Sequence, residues 1–276
     1  MKPPAFDYVR PNDVEEVVGI LSQTGEDARV LSGGQSLIAL LNMRLLHPSV
    51  IIDISALPDH SFIRHSDNIV EVGCTTTQSE LQSWSNLSTQ LPLLAQALPW
   101  VGHRQTRNKG TVCGSIAHAD PSAELPLCLA ALKGEALLYS SRGERVLGAE
   151  ELQTGMLETA CAPDEIIRAL RFPVAETGTG YAFGEVAYRH GDFAIISIAV
   201  VASSKSVRMA VGGINDRPQI LECPSMQGNI FLNDTLSDFS RTTEVRGDHH
   251  ASADYRRRVL HSLGLRLVQE AFAWIE

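Results

Sequence analysis

The sequence lacks several features that mark common classes of protein. Its five cysteines are odd in number, and no two of them are separated by the two to four residues typical of zinc sites and iron–sulfur clusters. No apolar run reaches the roughly 20 residues that span a bilayer, and residues 1–7 lack the apolar core of a signal peptide. We therefore expect a cytoplasmic protein with reduced, mostly buried thiols and no metal site of its own.

Positive charge is also scarce. Lys and Arg number 23 against 32 Asp and Glu, which gives a formal net charge of -9, and the densest basic cluster is only Arg256–Arg258. A nucleic-acid backbone would be repelled by this charge, so nucleic acid is not an expected partner. What is present is a hydrophobic fraction of 44% over 276 residues, enough for two or three compact subdomains with real cores.

The common nucleotide-binding fingerprints are missing as well. There is no G-x-x-x-x-G-K-[ST], and Gly178-Thr179-Gly180 is not followed by a glycine at position 183. A P-loop NTPase and a Rossmann dehydrogenase are both disfavoured. Two other glycine-bearing segments remain, Leu31-Ser-Gly-Gly-Gln-Ser-Leu37 and Asn108-Lys-Gly-Thr-Val-Cys-Gly-Ser115, named here the first and second glycine loops.

Both glycine loops are read as the two sides of a pyrophosphate clamp. Glycine allows backbone N–H groups to approach an anion closely, and each loop leads into a more helical stretch, whose N-terminus favours negative charge. Gln35 and Ser36 add side-chain donors to the first loop. Taken alone, Gly33-Gly34 is more typical of an ordinary tight strand-to-helix turn; the presence of the second loop favours the clamp.

Periodicity predicts two α/β units followed by a different domain. The first unit has a helix with Val14, Val17, Val18 and Leu21 on one face, strands at 29–31 and 49–54, and a helix at 37–46. The second has strands at 69–73, 135–139 and 165–172 and helices at 77–84, 92–100 and 121–132. A linker is predicted at 173–180, a hairpin at 193–211, and a final helix with the stripe Leu260, Leu263, Leu267, Ala271 and Trp274. Residues 223–253 carry no assignable pattern.

Longer motifs resemble one family. Residues 102–111 read GHRQTRNKGT, residues 115–124 read SIAHADPSAE and residues 189–194 read RHGDFA, in this order after the first glycine loop. Together with Ala5–Tyr8 and a terminal helix that begins Tyr255-Arg-Arg, they resemble the FAD-binding medium subunits of molybdenum hydroxylases, such as carbon monoxide dehydrogenase and xanthine dehydrogenase.

The resemblance implies a fold and a function. The expected fold is α/β plus α+β: a two-subdomain FAD-binding domain of the PCMH type over residues 1–174 (subdomains about 1–57 and 58–174), then a C-terminal flavoprotein domain over 175–276 with an antiparallel sheet and helices. The implied function is electron transfer in a heterotrimer. FAD on this chain would receive electrons from [2Fe-2S] clusters of a small subunit, a large subunit would carry the molybdenum cofactor, and two trimers would form a dimer. The substrate and the electron acceptor stay open, and no residue of this chain is expected to be catalytic.

The resemblance also implies which residues contact FAD. The diphosphate would be wrapped by Val30, Leu31, Ser32, Gly33, Gly34, Gln35, Ser36 and Leu37 on one side and by Thr111, Val112, Cys113, Gly114 and Ser115 on the other. His118, Asp120 and Glu124 would reach polar groups, Val101 and Ile167 would line apolar parts, and Phe193 would lie against the flavin ring. Glu185 matches a position that is lysine in some relatives. Cys113 replaces the first glycine of a usual Gly-Gly pair, and its Cβ is expected to crowd a backbone of positive φ.

Two alternatives remain at this level. The chain could be a stand-alone flavin oxidoreductase that binds its own substrate against the ring. It could also be a scaffold subunit that has lost its cofactor, with Cys113 as the sign of that loss. The cluster of Arg104, Arg107 and Lys109 could neutralise phosphate or be a solvated loop face.

Overall fold

The first region of the chain is a small α/β unit. The structure is a computed structural model that describes residues 2–225 and 229–275. A parallel three-stranded sheet has the strand order β1-β3-β2. Its elements are β1 (Asp7–Val9), α1 (Val14–Thr24), β2 (Ala28–Leu31), α2 (Leu37–Asn42) and β3 (Val50–Asp53). The Asp13 carboxylate caps α1 by accepting a hydrogen bond from the Glu16 N–H at 2.8 Å, and the three valines and one leucine predicted on the apolar face of α1 are buried.

The second region is built on a five-stranded antiparallel sheet of order β4-β5-β10-β6-β7, with a short β8-β9 hairpin beside it. The strands are β4 (Ile63–Ser66), β5 (Ile69–Gly73), β6 (Glu135–Ser140), β7 (Gly143–Gly148), β8 (Gln153–Gly155), β9 (Glu158–Thr159) and β10 (Ile166–Pro173). The helices are α3 (Gln78–Gln82), α4 (Leu87–Gln90), α5 (Pro92–Ala97), α6 (Arg104–Arg107), α7 (Val112–His118), α8 (Glu124–Ala131) and α9 (Ala149–Leu152). The second glycine loop therefore joins α6 to α7.

The third region is a four-stranded antiparallel sheet in sequential order with two helices on one face. It contains β11 (Thr179–Val186), β12 (Ile196–Ser203), β13 (Ser206–Gly212), β14 (Gln219–Pro224), α10 (Asn229–Thr242) and α11 (Ala253–Ala273). Successive side chains along each strand point to opposite faces of the sheet and so belong to two different cores. Ile198, Val200 and Met209 pack with α10 and α11, whereas Tyr181, Phe183 and Ala199 join the core shared with α5 and α8.

Most of the predicted elements are present, and α10 lies in the segment 223–253 for which the sequence showed no pattern. Other differences concern a helix end, a linker and an apolar stripe. The helix predicted at 37–46 ends at Asn42, since Arg44 adopts a left-handed conformation with φ of 58°. The predicted linker at 173–180 overlaps β11, a strand that the sequence pattern did not reveal. Trp274, predicted on the apolar stripe of the last helix, is 60% exposed, whereas Leu260, Leu263, Leu267 and Ala271 are buried.

No helix among residues 2–225 and 229–275 is long and apolar enough to cross a membrane.

Candidate cofactor site

The two glycine loops touch each other through their backbones. A Cβ atom built on Gly33 would lie 2.7 Å from the Cα of Gly110 and would overlap the carbonyl oxygen of Lys109. Only a residue without a side chain fits at this crossing. Residues about 75 positions apart in the sequence are thus brought into main-chain contact, as the clamp hypothesis requires.

The first glycine loop leaves a row of main-chain donors free. It follows the end of β2 and enters α2 through Gly34, whose φ is +71°. The N–H groups of Gly33 through Leu37 have no hydrogen-bond partner in the part of the chain that the structure describes. Consecutive unpaired amides at a strand-to-helix turn form an anion-binding concavity. The Ser32 hydroxyl donates to the carbonyl of Cys74 at 3.4 Å and ties the loop to the end of β5.

The second glycine loop is fixed from behind by the segment that starts α3. The Gln78 N–H donates to the Gly110 carbonyl at 2.8 Å, and the Val112 N–H donates to the Thr76 carbonyl at 3.0 Å. Thr111 then caps α7, because its hydroxyl accepts a hydrogen bond from the Gly114 N–H at 3.1 Å. A Cβ at position 114 would lie 2.6 Å from that hydroxyl, so the cap explains the glycine.

Cys113 does not have the conformation expected from the sequence. It lies in the first turn of α7, its φ is not positive, and its side chain is buried with Sγ 3.7 Å from the Val72 carbonyl. The expectation that its Cβ crowds a left-handed backbone is therefore wrong. Burial raises the pKa of the Cys113 thiol well above its usual value, which makes it an unreactive core residue rather than a redox group.

The guanidinium of Arg107 forms hydrogen bonds within the protein and is not free to bind an anion. Its guanidinium donates to the carbonyls of Val101 at 2.9 Å and Gly102 at 3.0 Å, and to the Gln82 side chain at 3.0 Å. These bonds hold the turn that precedes α6. Of the basic cluster considered from the sequence, Arg107 is therefore structural, whereas Arg104 and Lys109 are exposed.

The turn between α7 and α8 brings three of the predicted polar residues together. Ala119 ends α7 with a φ of +51°, and the Asp120 carboxylate accepts a hydrogen bond from the Ser122 N–H at 2.8 Å. His118 lies in the last turn of α7 and is half-buried. Glu124 is the first residue of α8 and is only 6% exposed. Burial, together with the nearby charge of Asp120, raises the pKa of Glu124 to about 7.

Glu185 lies on β11, close enough to Glu124 for the charge of Glu124 to act on it. It is 9% exposed, and neither oxygen of its carboxyl group has a hydrogen-bond partner in the described residues. Burial, and then the charge of Glu124, raises the pKa of Glu185 to about 8. A buried carboxyl group without hydrogen bonds destabilises a folded protein. We therefore expect a bound ligand to make the missing hydrogen bonds to these oxygens.

Phe193 is carried by the loop at 187–195 and is 71% exposed. This loop packs on the residues ahead of the second glycine loop. A Cβ on Gly191 would lie 2.8 Å from the Gly102 carbonyl oxygen, and the rings of His190 and Trp100 are 4.7 Å apart. Val101 and Ile167 are buried. An exposed aromatic ring anchored at this point is available to stack on a planar ligand.

Sequence reasoning missed two polar features near the site. The Tyr8 hydroxyl donates to the Asp53 carboxylate, and Asp53 pairs in register with Leu31 at the start of the first glycine loop. Ser197, fully buried opposite Glu185 on β12, has a hydroxyl without a partner in the described residues. Asp53 could have been noticed as an acid at the carboxyl end of a parallel strand; no signal in the sequence marks Ser197.

The site fits a dinucleotide. The free amides of the first glycine loop suit a diphosphate, and the orphaned Glu185 and Ser197 oxygens suit the hydroxyl or N–H donors of a bound ligand. Among residues 2–225 and 229–275, no group of three or more His, Cys, Asp or Glu side chains is arranged to hold a metal ion.

Comparison with known proteins agrees with this geometry. Residues 4–175 match a family model described as the FAD binding domain in molybdopterin dehydrogenase. The chain is 35% identical to the 6-hydroxypseudooxynicotine dehydrogenase complex subunit alpha of Paenarthrobacter nicotinovorans, over 98% of this chain and 96% of that protein. It is 34% identical to the carbon monoxide dehydrogenase medium chain of Afipia carboxidovorans, over 99% of both.

Solved structures give the same picture. The fold superposes on the Cu,Mo-CO dehydrogenase in its cyanide-inactivated form with a TM-score of 0.93 and 29% identity, covering 99% of each chain. It also superposes on quinoline 2-oxidoreductase from Pseudomonas putida with a TM-score of 0.92 and 28% identity, covering 100% of this chain and 99% of that one. The fold class predicted from the sequence is confirmed.

Proposed function

The chain belongs to the family of FAD-binding medium subunits of molybdenum hydroxylases, and we propose that it serves as the electron-transfer subunit of such a complex. Its cofactor is FAD. When bound, FAD supplies the redox chemistry, accepting electrons from iron–sulfur clusters of a partner subunit and giving them up to an external acceptor. The residues of this chain bind the cofactor, orient it and keep its surroundings fixed.

The observation that carries the proposal is the row of unpaired amides at Gly33–Leu37 beside the Gly33–Gly110 contact. We assign the diphosphate to these amides and to residues 111–115 of the second glycine loop. Val30 and Leu31 lead into the first loop. The remaining contacts are assigned by chemistry: His118, Asp120, Glu124 and Glu185 to polar groups, Val101 and Ile167 to apolar parts, and Phe193 to the face of the flavin ring.

The partners are inferred from the relatives. Those at 34–35% identity bear names such as "complex subunit alpha" and "medium chain", which supports an assembly of several chains. We propose a large subunit with the molybdenum cofactor and a small subunit with [2Fe-2S] clusters, two such trimers forming a dimer. Residues 1–174 would form the FAD-binding domain and 175–276 the C-terminal flavoprotein domain. The cytoplasmic location stays a prediction.

Purification of the native complex tests the proposal. We expect this chain to co-purify with two others, to carry one FAD per chain, and to hold no molybdenum or iron when separated. The flavin should be reduced by the substrate of the complex only while the other two chains are present. Dithionite, which reduces flavin directly, serves as the control for a competent cofactor.

Each alternative predicts a different result. If an organic substrate reduces the flavin of the isolated chain, the chain is a stand-alone oxidoreductase and the relay proposal fails. If neither the complex nor the refolded chain takes up FAD, the chain is a scaffold.

A further inference from the structure

Glu185 points away from the helices of its own region and toward the FAD-binding part. Its neighbour Gly184 lies against Leu263 and Leu267 of α11, so position 185 is on the opposite face of β11, the face that carries Tyr181 and Phe183. The Gln96 side chain of α5 binds the free edge of β11: it donates to the Tyr181 carbonyl and accepts from the Phe183 N–H, both at 3.0 Å. The backbone that carries Glu185 is thus held rigidly against the FAD-binding domain.

Few charges surround this carboxyl. The titratable groups of α8 whose charges interact with it are Glu124 and Cys128, neither of which is a cation, and Asp120, in the turn before α8, acts on Glu124. Arg107, on α6, is the cation that acts on Glu124, but its guanidinium is already engaged by the carbonyls of Val101 and Gly102. Across β12, Glu185 pairs in register with Ser197, whose hydroxyl has no hydrogen-bond partner among the residues that the structure describes.

Two buried carboxyls without a cation between them cannot both be ionised at modest cost. Glu124 is the first residue of α8, where the helix N-terminus favours a negative charge. Glu185 lies on a strand of a sheet, where no helix N-terminus among the described residues of its own strand stabilises a negative charge. Of the two groups, Glu124 therefore ionises more easily, and Glu185 keeps its proton.

We propose that the buried, unpartnered carboxyl of Glu185 is a neutral acid in the folded chain, and that its proton is needed for FAD to bind beside it and Glu124. The inference rests on the proposed function, since it takes both residues as part of the FAD site. Its physical reason is charge: the diphosphate of FAD brings negative charge into a site that already holds Asp120 and Glu124. A protonated Glu185 adds no further repulsion and supplies a hydrogen-bond donor.

Unfolding of the full chain without flavin tests whether Glu185 is protonated in the folded state. Because the pKa of Glu185 is raised from 4.5 to about 8, the folded chain binds this proton more tightly than the unfolded chain. Its contribution to stability is therefore greatest below about pH 4.5 and is lost as the pH rises to about 8. We expect the difference in Tm between Glu185→Gln and wild type to grow in favour of the variant over this range. Glu124→Gln removes the repulsion from the other side and should reduce the same slope, while Glu15→Gln, an exposed control on α1, should follow the wild type.

Titration with FAD tests the link to the cofactor. Quenching of flavin fluorescence gives the Kd at each pH. The wild-type Kd should rise about tenfold per pH unit above pH 8, whereas Glu185→Gln, which stays neutral, should keep its low-pH affinity. Parallel pH profiles of wild type and Glu185→Gln, in unfolding or in FAD binding, would overturn the inference. If the wild type binds no FAD at any pH, the proposed function fails as well, so the two failures can be told apart.

Discussion

Gly33 and Gly110 lie in direct backbone contact, so close that a methyl group at position 33 would be 2.7 Å from the Gly110 Cα. We predict that Gly33→Ala pushes the two glycine loops apart and weakens FAD binding at least tenfold, at a cost in stability of about 1–3 kcal/mol from overpacking. The ratio of bound flavin to protein and the Kd for added FAD measure the effect.

A matched control comes from the third region of the chain. A Cβ on Gly180 would meet backbone just as closely, at 2.7 Å from the Ala271 carbonyl carbon. Gly180→Ala should therefore cost stability by separating β11 from α11 but leave the flavin content of the folded protein unchanged. Equal loss of flavin in both variants would show that general unfolding, and not the loop contact, explains the result.

Arg107 offers a second prediction. Its bonds to the Val101 and Gly102 carbonyls and to Gln82 cannot all be made by another side chain, and unpaired buried carbonyls are costly. Arg107→Gln should lower the free energy of unfolding by about 1–3 kcal/mol in a urea titration. Arg104→Gln, an exposed substitution on the same helix, should change it by less than about 0.5 kcal/mol. The assignment of Arg107 to the loop would be refuted if the two variants were equally stable.

A substitution at Cys113 distinguishes the proposed electron-transfer subunit from a scaffold subunit that has lost its cofactor. Since Cys113 is a buried residue of α7 with an ordinary backbone, Cys113→Ala should keep a full complement of FAD and lose only modest stability. The wild-type thiol should resist alkylation by iodoacetamide in the folded protein, because burial raises its pKa and shields it. Loss of flavin in Cys113→Ala, with the fold intact by circular dichroism, would argue for a direct role of the sulfur.

Much of the fold could be predicted from local signals. The valines of α1, the Thr77 cap of α3 and the β-branched runs on either side of Ser203–Lys205 each encode their own element. β11 was missed because Gly180 and Gly184 interrupt its pattern; Gly180 is needed where the backbone of α11 meets the strand, and Gly184 lies against Leu263 and Leu267.

The site could be predicted only in outline. The glycine loops and the family motifs gave its location, but the actual conformation of Cys113 depends on where α7 begins, one residue after Thr111. The carbonyls that hold Arg107, and the empty hydrogen-bonding capacity of Glu185 and Ser197, arise from contacts between distant segments. No local pattern specifies such contacts.

The flavin content of Gly34→Val, compared with Gly178→Val, tests the central claim most directly. Both glycines have positive φ, +71° and +76°, so valine strains the backbone alike in both. Gly34 is the second residue in the row of free amides, and its Cβ would lie 3.1 Å from side-chain carbons of Leu31 and Ile38, whereas a Cβ on Gly178 would have nothing within 4 Å. We predict that Gly178→Val purifies with one FAD per chain and that Gly34→Val purifies without it. A stoichiometric flavin in Gly34→Val would contradict the assignment of the diphosphate to the first glycine loop.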